Sequence, residues 1–203
     1  MKKIIFACLI LGVTLASCSK NDPTPEVDQE ELGTVTLKFT PVKVVVNNGT
    51  TTYEPILDEE VEEVKFTGNP LLPPVGAHVH LHVGDTYKLE LKTTDFAGRE
   101  SQQTFVNRPE IHQAFILNAP QGSLDYVYGE PTNVGVTGYL TVKQTTDSFP
   151  LRYVLRHLNP GVKSKIKASD WNNLNFTQFT GENDIDVKFD VHLVNGGHDH
   201  DAH

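Results

Sequence analysis

Apolar and polar residues alternate along most of this chain. Thr34-Val35-Thr36-Leu37-Lys38-Phe39, Val42-Lys43-Val44-Val45-Val46 and Tyr87-Lys88-Leu89-Glu90-Leu91-Lys92 carry the pattern. Successive side chains of a strand point to opposite faces, so a period of two predicts one face in a core and one outside it. The longest instance runs from Ile185 to Val194. It sets Ile185, Val187, Phe189, Val191 and Leu193 on one side, and Asp186, Lys188, Asp190 and His192 on the other. Further strands are predicted over 61–66, 111–117, 134–142 and 151–158. Asn47-Asn48-Gly49 before Thr50-Thr51-Thr52-Tyr53 predicts a hairpin.

No window of a dozen residues has a helical period, and Ser169-Asp170-Trp171-Asn172-Asn173 suits at most a capped turn. Short strands broken by Gly, Pro and Asn predict an all-β fold. The expected architecture is an antiparallel β-sandwich, immunoglobulin-like in general form, spanning residues 34–195. The alternative is two smaller sandwiches divided near Pro120-Gln121-Gly122.

The N-terminus has a different pattern. Met1-Lys2-Lys3 precedes an apolar run from Ile4 to Leu15, and Leu15-Ala16-Ser17-Cys18 ends it. This is the layout of a bacterial lipoprotein signal peptide, with residues 1–17 removed and Cys18 carrying lipid such as palmitate. The run is shorter than the ~20 apolar residues of a membrane span. Residues 18–33 are polar and acidic and read as a flexible tether. Cys8 leaves with the leader and Cys18 is lipidated, which excludes a disulfide within the mature chain. The leader takes two lysines and no acids, leaving 15 basic against 26 acidic residues. That balance disfavours nucleic acid and anionic headgroups as partners and is hospitable to cations. The expected location is the outer membrane, with either face open.

Candidate chemistry concentrates in the nine histidines. In His78-Val79-His80-Leu81-His82, a strand would send the valine and leucine inward and line the other face with three imidazoles. Neutral imidazole is the commonest protein metal ligand. Same-face neighbours on a strand lie ~6.5 to 7 Å apart, whereas zinc–nitrogen bonds are ~2.0 to 2.1 Å. His80 can therefore share an ion with His78 or with His82. Engaging all three would need a bulge or bend. Gly84-Asp85 predicts a hairpin to the 87–92 strand, which makes Glu90 and Asp85 candidates for a completing ligand. A polar outer face without an ion is the competing reading.

Gly197-His198-Asp199-His200-Asp201-Ala202-His203 forms a separate tail over 196–203, suited to loose capture of divalent ions or simply to solubility. His112 shares a side with Ala114 and Ile116, and His157 with Leu151, Tyr153 and Leu155. Both are expected to be partly buried, where hydrogen-bonded bracing competes with metal ligation. His192 is expected to be solvated. Trp171, flanked by amides, fits a core plug or a sugar contact.

Three segments carry a resemblance: Gly33-Thr34-Val35-Thr36-Leu37-Lys38-Phe39-Thr40-Pro41-Val42, Glu110-Ile111-His112-Gln113-Ala114-Phe115 and Val154-Leu155-Arg156-His157-Leu158-Asn159-Pro160. They resemble small β-rich lipoproteins of the Bacteroidota type associated with TonB-dependent outer-membrane receptors. Ile111 and Ala114 interrupt that family's Glu-His-Gln-Phe-Phe segment. The resemblance implies a β-rich lipoprotein that assists uptake of a scarce nutrient, and it directs interest to His112 and His157.

No nucleophile elbow, phosphate loop or dinucleotide fingerprint is present, so a non-enzyme is expected. The leading expectation is a lipid-anchored extracytoplasmic protein that captures a divalent metal, with Zn²⁺ favoured, and assists a TonB-dependent transporter. Its candidate ligands are His78, His80, His82, His112, His157, His198, His200 and His203. A sugar-, peptide- or protein-binding module and a structural or adhesion domain are the alternatives.

Overall fold

The structure, a computed structural model, describes residues 32–195. The leader, Cys18, the tether up to residue 31 and the tail histidines His198, His200 and His203 lie outside the described residues.

The alternating segments form strands in two sheets, and the fold is an all-β sandwich. In the first sheet β1 (Thr34–Asn47) pairs β3 (Glu62–Thr67) along its first half and β2 (Thr50–Pro55) along its second. The same first half also pairs β5 (Thr86–Thr94), which continues to β8 (Thr137–Val142) and β7 (Leu124–Tyr128). The second sheet has the order β4 (His78–His82), β10 (Gly181–Val194), β9 (Thr146–Leu158), β6 (His112–Leu117). The two segments predicted over 34–46 are thus one strand. A one-turn helix, α1 (Gln103–Asn107), precedes β6, and three short 3-10 turns lie between β9 and β10.

Alternation sorts the faces as expected. Val35, Leu37, Phe39, Leu89 and Leu91 of one sheet meet Val79, Leu81, Tyr153, Leu155, Val187, Phe189 and Val191 of the other in one apolar cluster. Each large side chain removed from water contributes about 1.5–3 kcal/mol, so this layer is what holds the sheets face to face. The cluster includes residues on both sides of Pro120. The second sheet is covered on its outer side as well, at one end only. There Phe115, Leu117, Val154 and Leu158 pack against Val162, Phe176 and Phe179 from the 3-10 segment.

One pairing differs from expectation. β4 and β5 do not form a hairpin. β4 runs parallel to β10 in the second sheet, while β5 lies in the first. The chain changes sheets at Gly84-Asp85, where Gly84 takes a left-handed φ of 95° and its N–H donates to the Val142 carbonyl. Val79 and Leu81 therefore reach the core from one side, and Tyr87, Leu89 and Leu91 from the other.

Candidate metal centre

β6 and β9 run antiparallel with His112 directly opposite His157. His112 lies on the inner side with Ala114 and Ile116, and His157 with Tyr153 and Leu155. Both imidazoles therefore end at one spot near the rim of the sandwich, with ring centroids 4.9 Å apart and planes at 79°.

The third group comes from β10, on the other edge of β9. Asn183 pairs Arg156 and Ile185 pairs the next residue, Leu155, so Asp184 is an extra residue between them. Such a bulge re-aims the side chain it carries. Strict alternation would set Asp184 on the face opposite Ile185. The bulge instead brings Asp184 Oδ2 to 3.3 Å from His112 Nε2 and 3.6 Å from His157 Nδ1. Arg156 pins the bulge from the outer side: Nη1 donates to Asn183 Oδ1 and Nη2 to the Gly181 carbonyl, each at 2.6 Å. Its guanidinium also lies 5.4 Å from the centre of the Phe176 ring. Gly181 opens the strand at φ 151°, where a Cβ would overlap the His157 carbonyl.

Protonation states follow from the hydrogen bonds. His112 Nδ1 lies 3.0 Å from the Arg108 carbonyl oxygen, an acceptor, so Nδ1 carries the hydrogen. In the neutral ring Nε2 then presents its lone pair toward the Asp184 carboxylate. Two electron-rich atoms 3.3 Å apart are brought together by a cation between or upon them: a proton on the imidazole or a metal ion. A backbone carbonyl that fixes the tautomer of a ligating histidine is the usual outer-shell arrangement of a metal site.

The spacing suits a metal. Two donors ~2.05 Å from a tetrahedral ion lie ~3.3 Å from each other. The three donor atoms here all lie within 4.8 Å of one another. Two imidazoles and a carboxylate also leave a fourth position open. Burial is graded across the group. His112 is fully buried, with the Phe105 ring edge-on at 5.2 Å, whereas the His157 side chain is 40% exposed. An ion would enter past His157.

Side chains around the group hold main-chain carbonyls in place. Lys163 Nζ donates to the carbonyl oxygens of His112 and Asn133. Burial pushes its ammonium down to about 8, against the opposing pull of Glu130. Tyr128 Oη donates to the Ala114 carbonyl and Tyr153 Oη to that of Gly135. Burial raises both phenols well above their ordinary range, so they stay protonated as donors.

The structure sorts the sequence-predicted residues into two places. His112 and His157 meet at the inner group. His78, His80 and His82 lie on the outer face of β4, away from it, with Val79 and Leu81 in the core. Glu90 is excluded as their completing ligand: it stands in the other sheet and accepts from Lys88 Nζ at 2.7 Å. The neighbour that register gives to His80 is His192. Asp85 stands at the crossing between sheets. Trp171 packs against Tyr126 and the main apolar cluster, as a core plug would.

Comparison with protein-family models, with curated proteins and with solved structures gives no match. The site is therefore read from its own chemistry. Sequence reasoning missed Asp184, Arg156 and Lys163. Asp184 stands just before the last alternating run, and a bulge leaves no periodic trace. The available hint was acidic residues beside a strand boundary, which also describes many solvated strand ends.

Proposed function

We propose that this chain is a lipid-anchored extracytoplasmic protein that binds a divalent transition metal, zinc foremost, through His112, His157 and Asp184. In this reading it assists a TonB-dependent outer-membrane transporter by holding the ion near the membrane. One observation carries the metal assignment. A buried imidazole, its Nδ1–H held by the Arg108 carbonyl, sets Nε2 3.3 Å from a carboxylate oxygen, with a second imidazole beside both. Borderline ions such as zinc favour this mixed nitrogen and oxygen set. The role in this reading is capture, with the half-exposed His157 giving an ion an exit as well as an entrance. The signal-like segment ending at Cys18 supports the anchor, and the acidic balance of the chain supports cation traffic.

Calorimetric titration of Zn²⁺ into the full chain carrying His192→Gln, His198→Gln, His200→Gln and His203→Gln, with and without His157→Gln, tests the site. A loss of at least tenfold in affinity is expected, and equal affinities would overturn the assignment. Labelling with a radioactive fatty acid, expected in the native chain and absent from Cys18→Ala, tests the anchor.

A further inference from the structure

The outer face of the second sheet carries another cluster of imidazoles, on the edge opposite the one that holds His112. β4 and β10 are parallel and in register, with His80 opposite His192 and His78 opposite Asp190. Paired residues of neighbouring strands point to the same side. Val191 and Leu193 fill the core, so His192 faces outward with His78 and His80. The three rings form a nearly equilateral triangle. Their centroids are 4.8 Å apart for His78 and His80, 5.0 Å for His80 and His192, and 5.4 Å for His78 and His192.

We infer that His78, His80 and His192 form a second, surface metal site that takes a borderline divalent transition cation such as Ni²⁺, Cu²⁺ or Zn²⁺. The triangle has the right size. A ring centroid stands ~3.2 Å from an ion bound at ~2.05 Å, so three imidazoles in a tetrahedral shell have centroids ~5.2 Å apart. Each observed separation is within a few tenths of an ångström of that value. One ring has its tautomer set: His78 Nδ1 lies 2.8 Å from the Gly76 carbonyl oxygen, which places the hydrogen on Nδ1 and leaves Nε2 to bind. The ligating nitrogens stand farther apart than the donors of the inner group, and the rings meet edge to face or tilted. The 3-10 segment covers the far end of this sheet, so His78 and His80 remain exposed and the ion would stay reachable from outside. Asp190, exposed beside His78, stands at the register position for a fourth donor.

The strand β4 alone could not do this. Same-face neighbours along it are ~6.5 to 7 Å apart at Cα, and the third member His82 is ~13 Å from His78. The parallel neighbour supplies the third ligand across the sheet instead. His80 and His82 both border a cleft with Glu59, Glu60, Glu62 and Tyr87, and His80 is the member shared with the triangle.

The test uses Ni²⁺ and the full chain with His198→Gln, His200→Gln and His203→Gln, so that the tail cannot contribute. Asp184→Asn is added to remove the inner site. A single equivalent of Ni²⁺ is expected to bind, weakened at least tenfold by His192→Gln and no more than twofold by His82→Gln. The opposite ranking, equal effects of the two, or binding indifferent to His192→Gln would overturn the site. Circular dichroism of each variant checks that the fold is intact. Restoring Asp184 in the His192→Gln chain reports the inner site separately. Failure there would refute the proposed function without touching this cluster.

Discussion

Replacing Asp184 with asparagine separates metal binding from folding at the inner group. The side chain keeps its shape on the bulge, but it loses the charged oxygen that stands 3.3 Å from His112 Nε2 and 3.6 Å from His157 Nδ1. Removing a partner outside the ligand shell costs ~10–100-fold in metal affinity, so removing a ligand is expected to cost at least ~100-fold. Zn²⁺ held at 100 times its dissociation constant stabilises the native chain by ~2.7 kcal/mol. At ~2–4 °C per kcal/mol for a domain of this size, that is a rise of ~5–11 °C in melting midpoint. The same zinc concentration roughly equals the dissociation constant of the variant, leaving ~0.4 kcal/mol, or ~1–2 °C. Without metal, the asparagine amide can donate to the Nε2 lone pair, so the ion-free stability is expected to hold within about 1 kcal/mol. Scanning calorimetry with and without Zn²⁺ measures both quantities. It is run in a chain carrying His192→Gln and the three tail substitutions, to isolate the inner group. An Asp184→Asn chain that kept the whole zinc-induced rise would refute the argument.

Two further outcomes follow from the framework. Arg156→Lys loses the fork that ties Asn183 Oδ1 and the Gly181 carbonyl, so it is expected to lower stability by about 2 kcal/mol and zinc affinity by ~10-fold; urea midpoints and titration check each. Lys163 has a folded pKa depressed to about 8 from an ordinary 10.5, so between those values the unfolded chain binds more protons. Its contribution to stability therefore rises with pH across that window. The stability difference between the native chain and Lys163→Met, from urea unfolding at pH 7.5 and 9.5, is expected to grow at the higher pH; a difference that shrank would contradict the burial of the ammonium.

Much of the sandwich is legible in the chain because alternation is a local property. Nearly every buried residue of β1, β5 and β10 can be picked from its period of two. The same property conceals which sheet a strand joins. Val79 and Leu81 enter the core from one sheet, and Tyr87, Leu89 and Leu91 from the other, yet both segments alternate identically. Gly84-Asp85 reads as a hairpin turn because its φ requirement is the same whether the chain folds back or crosses to the facing sheet. Glu90 and Asp85 owed their candidacy to that turn, while His192 was expected to be solvated on its own strand.

The sequence by itself determined most of the strand content, the inward faces, and a surplus of imidazoles in an acidic chain. Tertiary structure decided which imidazoles meet. His112 and His157 are joined by antiparallel register, and His80 and His192 by parallel register. Asp184 reaches its group through one extra residue in β10. The physical reason is the range over which each property is set. Side-chain alternation is fixed by the backbone of one strand, whereas pairing depends on distant segments of the chain finding one register. A metal group needs donors within a few ångströms, and only pairing across strands closes that distance.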